Sequence, residues 1–483
     1  MTRIAERLKL YAVTDSRWVG DPTRLPGQVA QAIAGGATAV QFREKERDGG
    51  ARLLAVAREI AELCRRSDVP FIVNDSLNLA VDSRASGLHV GQKDGDIAEI
   101  ARRLPASLIL GVSVSTVREA LLAEAAGADY LGVGAVFPTG TKADAESVSK
   151  ETLEAICRAV TVPVVAIGGI TTQSVAALAG TGIAGVAAIS ALFAQSDRVA
   201  ENTARMRSAL EGVRLESRRG ITALSVAGSD PVGGAGIQGD LKTFHAHGVH
   251  GMAVITSVIA QNTAGVLSAS AVDGTLVAEQ LEAVFSDIPP DAVKIGLVPN
   301  RESALAVGRA LDRWNTAAVV ADPVFAASSG HPLAQGDIET YRDVFLSVLA
   351  PRSRLVTPNI PEAALLTGQP VITRSDMVRA AVRIRELSGG GAAVLIKGGH
   401  LSGEKSAVDC LAGDGGIAWF DLPRLEGPAP RGTGCALSAS LAVNLARGAP
   451  VELAVSLSKA VLARRIASAA PYGAGAPILG SGF

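Results

Sequence analysis

The sequence predicts two α/β domains in one chain, an N-terminal (β/α)8 barrel and a C-terminal three-layer α/β/α domain. Three observations lead to this prediction. The chain has 483 residues, too many for one ordinary domain. Hydrophobic residues make up 48% of it but aromatic residues only 4%, and it contains 52 glycines, a composition typical of buried parallel strands with many strand–helix turns. Short Val, Ile, Leu and Ala runs alternate with helical patterns along its whole length.

The N-terminal half contains eight such apolar runs, separated by amphipathic or alanine-rich stretches. Eight evenly spaced units favour a closed barrel, with an open doubly wound sheet as the alternative. The predicted strands are Leu8–Val13, Ala39–Arg43, Phe71–Asn74, Gly87–Val90, Ile109–Ser113, Tyr130–Gly134, Pro163–Ile167 and Gly185–Ser190.

Polar residues follow seven of these strands, where a barrel of this kind carries its functional groups. The pattern predicts an anion site with a metal, in which the carboxylates of Asp75 and Asp94 could hold Mg²⁺ together with substrate phosphates. Gly168 and Gly169 after the seventh strand, before a helix predicted over 172–179, suit a phosphate. Each feature alone has an ordinary structural explanation, but their recurrence at successive strand ends favours a site. The cations are Arg43, Lys45 and Lys142, and the carboxylates are Asp75 and Asp94.

Five segments of this half resemble thiamine phosphate synthase. They are Tyr11–Asp15, Gln41–Lys45, Gly87–Gln92, Gly132–Thr139 and Ala166–Ile170. The family joins a pyrimidine diphosphate to a thiazole phosphate and releases pyrophosphate. The resemblance implies that the pyrimidine diphosphate is bound by Gln41, Arg43, Lys45, Asn74, Ser113 and Lys142. It implies that Mg²⁺ is bound by Asp75 and Asp94, and the thiazole phosphate by Thr139, Thr141, Gly169, Ile189 and Ser190.

This resemblance agrees with the chemistry of the residues. Pyrophosphate can leave when Mg²⁺ and the three cations neutralise its developing charge. Arg43 and Lys142 are the expected catalytic residues. No covalent enzyme nucleophile is required.

The domain boundaries follow from the pattern along the chain. We expect a synthase barrel over residues 1–212, a short charged linker over residues 213–220, and a second domain over residues 221–483.

The second half predicts a mostly parallel sheet between helical layers. The predicted strands are Ala223–Ala227, Ala253–Ile259, Ala292–Ile295, Ala317–Ala321, Arg354–Thr357, Ala393–Lys397, Ala407–Leu411 and Ile417–Phe420.

Gly432–Cys435, at the start of a predicted helix, is the strongest chemical signal of this half. Successive backbone amides at a helix start can hold a transferring phosphoryl group, which places phosphate on Gly432, Thr433 and Gly434. Cys435 lies in the first turn, where the helix dipole is expected to lower its thiol pKa and make it a base. The alternative for Cys435 is a small buried core thiol, as expected for the other three cysteines.

Lys397, Asn359 and Glu362 add to a phosphoryl-transfer site. Lys397 ends a strand and could reach a phosphate, while Asn359 and Glu362 lie one helical turn apart and could orient the water molecules of Mg²⁺. Asn359 also suits a helix N-cap.

The second half resembles the hydroxymethylpyrimidine and hydroxymethylpyrimidine phosphate kinases, of ribokinase-like fold. The resemblance implies two successive phosphorylations by ATP, with Cys435 as catalytic base and a glycine-rich loop, Gly228–Gly236, as a wall of the pyrimidine pocket. It implies that Gly228, Asp230, Ala235 and Gln261 surround the pyrimidine. The segments that carry it are Ala227–Pro231, Gly233–Gln238, Asp240–Phe244, Ala260–Thr263, Lys294–Gly296, Pro358–Ala363, Lys397–His400 and Gly432–Cys435. Arg431 and Ser328 stand where the family usually has His and Lys.

The product of such a kinase is the substrate of such a synthase, so the sequence predicts one bifunctional enzyme of thiamine biosynthesis. Three alternatives stay open: a pyridoxal-type kinase in the second half, a non-catalytic binding module in the first, and a structural role for the whole chain. The expected partners are small molecules, namely ATP, thiazole phosphate, and hydroxymethylpyrimidine with its phosphates.

The charge balance gives no sign of a nucleic-acid or membrane partner, with 46 Lys and Arg against 47 Asp and Glu. The four cysteines lack zinc-site spacing and form no disulfide framework. Met1–Lys9 is charged and lacks a signal-peptide apolar core. The sequence therefore predicts a cytoplasmic protein, and it leaves open whether the chain forms a homo-oligomer.

Overall fold

The computed structural model describes residues 3–18, 21–44, 50–139, 147–215, 220–325, 337–399, 401, 406–424 and 429–480. The chain divides into two compact units, Met1–Arg219 and Gly220–Phe483. Each unit has its own sheet and core.

The first unit is a closed barrel of eight parallel strands, which confirms the predicted fold. Each strand lies within two residues of its predicted ends, because buried parallel strands are short and apolar throughout. The strands are β1 (Leu10–Val13), β2 (Ala39–Phe42), β3 (Phe71–Asn74), β4 (Gly87–Val90), β5 (Ile109–Val114), β6 (Tyr130–Val133), β7 (Val164–Ile167) and β8 (Gly185–Ala188).

The helices of this unit cover the outside of the barrel, and its interior holds Tyr11, Tyr130 and Ile72. The helix predicted over 172–179 is instead a single 3₁₀ turn, Val175–Leu178. Gly180, with φ of 74°, ends that short segment. The helices are α1 (Arg3–Arg7), α2 (Leu25–Ala34), α3 (Gly50–Arg66), α4 (Leu77–Asp82), α5 (Ile97–Arg103), α6 (Val117–Ala126), α7 (Lys150–Ala159), α8 (Ser190–Phe193) and α9 (Val199–Glu211).

The second unit is built on a nine-stranded sheet of order β11-β10-β9-β12-β13-β14-β15-β16-β17. Its six inner strands are parallel, and β11, β16 and β17 pair antiparallel at the two edges. The strands are β9 (Thr222–Gly228), β10 (His250–Gln261), β11 (Val266–Ala271), β12 (Ala292–Ile295), β13 (Ala318–Ala321), β14 (Leu355–Val356), β15 (Ala393–Ile396), β16 (Ser406–Gly413) and β17 (Gly416–Pro423).

Helices pack against this sheet, and the largest core cluster lies between the sheet and α11, α12 and α15. α16 lies against β12 and β13 and is buried along most of its length. The helices are α10 (Gly236–Ala246), α11 (Gly274–Asp287), α12 (Arg301–Trp314), α13 (Ile338–Val344), α14 (Ile360–Thr367), α15 (Arg374–Leu387), α16 (Thr433–Ala446) and α17 (Val451–Ala467).

Candidate active sites

Arg43 is held at the mouth of the barrel by a buried carboxylate. Its guanidinium Nη1 donates to Oδ2 of Asp15 at 3.2 Å, and its backbone N–H donates to Thr14 at 3.1 Å. Arg17 also donates to both oxygens of Asp15. Burial opposes the charge of Asp15, but the hydrogen bonds from Arg17 and the charge of Arg43 hold its pKa below the ordinary value. Asp15 therefore stays ionised and orients a cation at the strand ends.

Asp75 and Asp94 follow neighbouring strands, β3 and β4. Asp75 has a left-handed backbone with φ of 63°, and its N–H donates to the carbonyl of His89 at 2.8 Å. Oδ2 of Asp94 accepts the N–H of Gly91 at 2.6 Å, which fixes that carboxylate. Within the described ranges, no cluster of three or more His, Cys, Asp or Glu is placed to hold a metal ion. Two carboxylates at adjacent strand ends suit Mg²⁺, which takes oxygen ligands and retains water or phosphate.

Gln41 and Ser113, both expected to bind the pyrimidine, are connected through the barrel interior. Gln41 Nε2 donates to the Tyr11 hydroxyl at 3.1 Å, and the hydroxyls of Tyr11 and Tyr130 lie 2.9 Å apart. His89 Nδ1 lies 2.9 Å from the Tyr130 hydroxyl, and its Nε2 lies 2.9 Å from Ser113 Oγ. We call these five side chains the hydroxyl relay.

The expected thiazole phosphate residues of the described chain lie on the loops after β6, β7 and β8. The backbone of Gly169, with φ of 64°, approaches the loop after β6 so closely that a Cβ there would lie 2.5 Å from the carbonyl of Pro138. This contact brings Thr139 next to Gly169. Ile189 and Ser190 come directly after β8, where Ser190 begins α8. Gly168 and Gly169 are not followed by the predicted α-helix, so any phosphate there would meet loop amides rather than a helix end.

Asn74, the last residue of β3, pairs with His89 of β4, so it lies beside Asp75. Three residues expected to bind substrate, Lys45, Thr141 and Lys142, lie outside the described residues. The same holds for Ser328.

In the second unit, Gly432 is the N-cap of α16 and ends the loop that leads into this helix. It has φ of 79°, and a Cβ at this position would lie 1.8 Å from the carbonyl oxygen of Gly234. The loop at the start of α16 is thus in direct backbone contact with the glycine-rich loop after β9. Thr433 and Gly434 follow in the first turn of α16, where their N–H groups have no partner within the helix.

The thiol of Cys435 has a raised pKa, which corrects the expectation that the helix dipole lowers it. Burial is the largest cause and disfavours the thiolate, and the charges of Asp240 and Asp322 add to it. Lys294 and a hydrogen bond from the Gly236 N–H act in the opposite direction. Cys64 and Cys410 are buried and Cys157 is half-buried, and burial raises the pKa of all three.

Lys294 is fully buried and forms an ion pair with fully buried Asp240, at 2.8 Å. Oδ2 of Asp240 also accepts the hydroxyl of Ser225 at 2.6 Å. Burial opposes the charge of Lys294, but the charge of Asp240 raises its pKa, so the ammonium stays protonated. The ammonium of Lys294 and the carboxylate of Asp240 both lie within electrostatic reach of Cys435, and they act on its pKa in opposite directions.

Lys397 lies between two carboxylates beside the loop that begins α16. Its Nζ is 2.7 Å from Asp322 Oδ1 and 4.0 Å from Glu362 Oε2. A Cβ on Gly434 would lie 3.2 Å from Nζ of Lys397, so the ammonium lies beside the first turn of α16. Burial raises the pKa of Glu362 to about 7, with Lys397 opposing this and Asp322 adding to it.

Asn359 and Glu362 form a complete capping box on α14, as the N-cap interpretation of Asn359 anticipated. Asn359 Oδ1 accepts the Glu362 N–H at 2.8 Å, and Glu362 Oε2 accepts the Asn359 N–H at 2.7 Å. Asn359 and Lys397 also form a parallel bridge. The cap therefore holds both residues beside Lys397.

Asp230 organises the glycine-rich loop after β9. It is fully buried, and its carboxylate accepts the N–H groups of Val232, Gly234 and Ala235 at 2.7 to 3.2 Å. Because these bonds use both oxygens, Asp230 acts on the pocket through the loop it shapes. Gly228 ends β9, and a Cβ there would lie 3.1 Å from Ile259 and from Leu297.

Gln261 ends β10 and accepts a hydrogen bond from Nη2 of Arg431 at 2.8 Å. Nη1 of Arg431 donates to the carbonyl of Asn262 at 2.8 Å. Arg431, which stands where the resemblance expects His, thus ties the loop before α16 to the end of β10.

Sequence reasoning gave no specific role to several residues that the structure brings to these sites. Asp322 and Pro323 end a predicted strand and fit a phosphoryl-transfer site, but the sequence does not show that Asp322 binds Lys397. Lys294 and Asp240 are charged residues inside a strand and a helix, and such charges at core positions are the signal that would have indicated a buried pair. Tyr11, Tyr130 and His89 lie on predicted strands, but the sequence does not show the contacts between these side chains.

Among the helices that the structure describes, none is long and apolar enough to cross a membrane.

Comparisons with known proteins divide along the same two units. A family model described as thiamine monophosphate synthase matches residues 10–192, and one described as phosphomethylpyrimidine kinase matches residues 230–479. The thiamine biosynthesis bifunctional protein ThiED of Geobacter sulfurreducens is 42% identical over 467 residues, covering 96% of this chain and 92% of that protein.

The second unit also has separate relatives. The hydroxymethylpyrimidine/phosphomethylpyrimidine kinase of Rhizobium meliloti is 45% identical over 248 residues, covering 51% of this chain and 91% of that protein. The solved structure of the pyridoxal kinase from Staphylococcus aureus in complex with ADP has a TM-score of 0.50 and 27% identity, covering 54% of this chain and 93% of that one.

Proposed function

Because the chain belongs to the family of bifunctional thiamine biosynthesis proteins, we propose specific residues for the reactions of its two units. The C-terminal unit phosphorylates 4-amino-5-hydroxymethyl-2-methylpyrimidine and then its monophosphate. The N-terminal unit couples the resulting diphosphate to thiazole phosphate, which gives thiamine phosphate and pyrophosphate. The observation that carries this assignment is a relative that matches the chain across both units. We place the synthase in residues 1–212, the linker in 213–220 and the kinase in 221–483.

In the kinase unit, we assign Cys435 as the base that takes the proton of the pyrimidine alcohol. Burial raises the pKa of this thiol, and Lys294 is the nearby cation that stabilises the thiolate. The hydroxyl oxygen then attacks the γ-phosphoryl group of ATP, whose charge rests on the amides of Gly432, Thr433 and Gly434. Lys397, which lies beside the first turn of α16, supplies a positive charge at the same place.

The pyrimidine ring is proposed to lie against the loop after β9. Gly228 and Ala235 supply backbone close to a flat ring, Asp230 holds that loop in shape, and Gln261 faces it from β10. Asn359 and Glu362 are proposed to position water molecules on the magnesium ion that accompanies ATP.

In the synthase unit, Arg43, Lys45 and Lys142 are proposed to neutralise the leaving pyrophosphate. Asp15 supports Arg43 in this role through the ion pair between them. Asn74 lies beside the metal carboxylates and is proposed to contact the diphosphate.

Asp75 and Asp94 would hold Mg²⁺, which when bound lowers the charge that pyrophosphate carries as it leaves. The pyrimidine ring lies between Gln41 and Ser113. The thiazole phosphate is proposed to bind at the loops after β6 to β8, and the residues assigned to it are Thr139, Thr141, Gly169, Ile189 and Ser190.

A coupled assay tests both activities together. The full chain is incubated with pyrimidine alcohol, ATP, thiazole phosphate and Mg²⁺, and thiamine phosphate is measured. Product that depends on ATP and thiazole phosphate is expected. A second assay supplies pyridoxal in place of the pyrimidine alcohol, since the pyridoxal kinase structure shares this fold. ATP consumption with pyridoxal and none with the pyrimidine alcohol would overturn the kinase assignment.

A further inference from the structure

The hydroxyl relay runs through the closed interior of the barrel and ends at two residues assigned to the pyrimidine. Tyr11 is 2% exposed, Tyr130 0%, His89 7% and Gln41 5%. All four successive contacts, from Gln41 through Tyr11, Tyr130 and His89 to Ser113, measure 2.9 to 3.1 Å. The relay thus connects side chains on β1, β2, β4, β5 and β6 by unbroken hydrogen bonds.

Two glycines make room for the relay inside the barrel. A Cβ on Gly111 would lie 2.2 Å from Cζ of Tyr130, which no real side chain tolerates. A Cβ on Gly132 would lie 3.1 Å from Cε1 of His89. Glycines on β5 and β6 therefore leave the space that the phenol ring of Tyr130 and the imidazole ring of His89 occupy. Filling the interior with aliphatic side chains would be the ordinary solution for a barrel of this size.

Proton positions along the relay are linked, because each hydroxyl carries one proton. Burial raises the pKa of both tyrosines, so both stay protonated. Tyr11 accepts from Gln41 Nε2, so its own proton is available to Tyr130. Tyr130 can then donate to Nδ1 of His89, and His89 Nε2–H to Ser113 Oγ. With donation in this order, every buried hydroxyl of the relay has an acceptor.

Resting on the proposed synthase function, we propose that the hydroxyl relay selects the aminopyrimidine by fixing Ser113 Oγ–H as a donor and Gln41 Oε1 as an acceptor. A 4-aminopyrimidine presents an amino donor beside a ring-nitrogen acceptor, which matches these two ends. A 4-oxopyrimidine presents a carbonyl acceptor beside an N–H donor, the reverse arrangement. Tyr11, Tyr130 and His89 are thus positioning residues, and they act only through Gln41 and Ser113.

The tautomer of His89 is the first test. In the full chain labelled with ¹⁵N-histidine, the signal lost in His89→Gln identifies this residue among the six histidines. An unprotonated Nδ1 with a protonated Nε2 is expected. A protonated Nδ1, in either the other neutral tautomer or the cation, would overturn the proposal, because Tyr130 could then no longer donate to His89.

Substrate discrimination is the second test. The full chain receives the synthetic diphosphate of the 4-amino or of the 4-oxo pyrimidine, with thiazole phosphate and Mg²⁺, and kcat/KM is measured for each. A site built on fixed hydrogen bonds should prefer the amino form by roughly 10⁴-fold. In Tyr130→Phe the relay is interrupted, so this ratio should fall at least about tenfold.

The matched control is Thr203→Val, which removes a fully buried hydroxyl from α9 in the same unit. It should leave the ratio at the wild-type value. A Tyr130→Phe variant that is slower with both diphosphates at an unchanged ratio would overturn the proposal. A wild-type chain that couples neither diphosphate would instead contradict the synthase function. If Tyr130→Phe fails to fold, the His89 tautomer of the wild type still decides.

Discussion

Lys397 donates to Asp322 across 2.7 Å, although the two residues are 75 positions apart in the chain. Asp322 also accepts the hydroxyl of Thr357 at 2.9 Å, and its side chain is almost fully buried. Asp322 therefore fixes the ammonium beside the first turn of α16 before any nucleotide arrives. Charges that are held in place before the reaction need no reorganisation when the phosphoryl group is transferred.

The first prediction concerns Lys397→Met. It removes the positive charge beside the loop that begins α16, so kcat for both phosphorylations should fall by roughly 10²–10³-fold. Coupling of supplied pyrimidine diphosphate to thiazole phosphate should be unchanged, because that reaction belongs to the other unit. The two reactions are measured separately on one preparation. Equal loss of both would point to a folding defect and contradict the assignment.

Cys435→Ala should slow the two phosphorylations unequally. The pyrimidine alcohol must lose a proton to react, and Cys435 is assigned to take it. The monophosphate already carries an anionic oxygen near neutral pH, since a phosphate monoester has a second pKa near 6. We expect a loss of about 10²-fold or more with the alcohol and a much smaller loss with the monophosphate. Equal losses in single-turnover measurements would exclude the base role.

Lys294→Met should shift the pH dependence of alcohol phosphorylation. The nearby ammonium favours the Cys435 thiolate, so its removal raises the pKa of a thiol that burial already raises. The rate rises with pH as the thiol ionises, and this rise should move to higher pH. Lys294→Arg keeps the positive charge and should stay near the wild-type profile. Profiles that shift equally in both variants would exclude the electrostatic role.

Glu362→Gln should change how stability depends on pH. Burial raises the pKa of Glu362 to about 7 from its ordinary value of 4.5. Between these two pKa values the folded protein keeps a proton that the unfolded chain has lost. This retained proton stabilises the folded protein, and the stabilisation disappears as the pH rises from 4.5 through 7. Between pH 5 and pH 8, the free energy of unfolding of the variant should rise relative to that of wild type by up to about 3 kcal/mol. Urea unfolding at both pH values measures this, and a constant difference would contradict it.

Asp15→Asn should affect the synthase alone. The amide cannot hold Arg43 by charge, and Arg43 is proposed to neutralise the charge that develops on the leaving pyrophosphate. We therefore expect kcat/KM for the coupling reaction to fall by roughly tenfold. Kinase rates on the same protein serve as the control. An unchanged kcat/KM would contradict the supporting role of Asp15.

The strands could be predicted from the sequence because most of them are buried and apolar. β3, β4 and β12 begin and end at the predicted residues. The strand that was missed, β11, lies at the sheet edge with four exposed residues among its six, and its Val-Leu-Ser-Ala-Ser-Ala sequence has no apolar run. Edge strands are defined by the partner they pair with, which local composition does not reveal.

The sites could be predicted in part, because motifs indicate chemical groups but not their mutual distances. Lys397 and Cys435 were each predicted from their own glycine-containing segments. Their surroundings come from the sheet order, which places β13, β14 and β15 side by side and so brings Asp322 to Lys397. The direction of the pKa shift of Cys435 depends on how closely Lys294, Asp240 and Asp322 surround it, and this is set by tertiary packing.

The backbone contact between Gly432 and Gly234 has a consequence for a kinase that acts twice on one molecule. The loop proposed to hold the pyrimidine ring and the helix start proposed to hold the phosphoryl group touch without any intervening side chain. Any side chain at position 432 would have to push these two segments apart. The absence of a side chain at this one position therefore bears on both phosphorylations, since the alcohol and the monophosphate meet the same two segments.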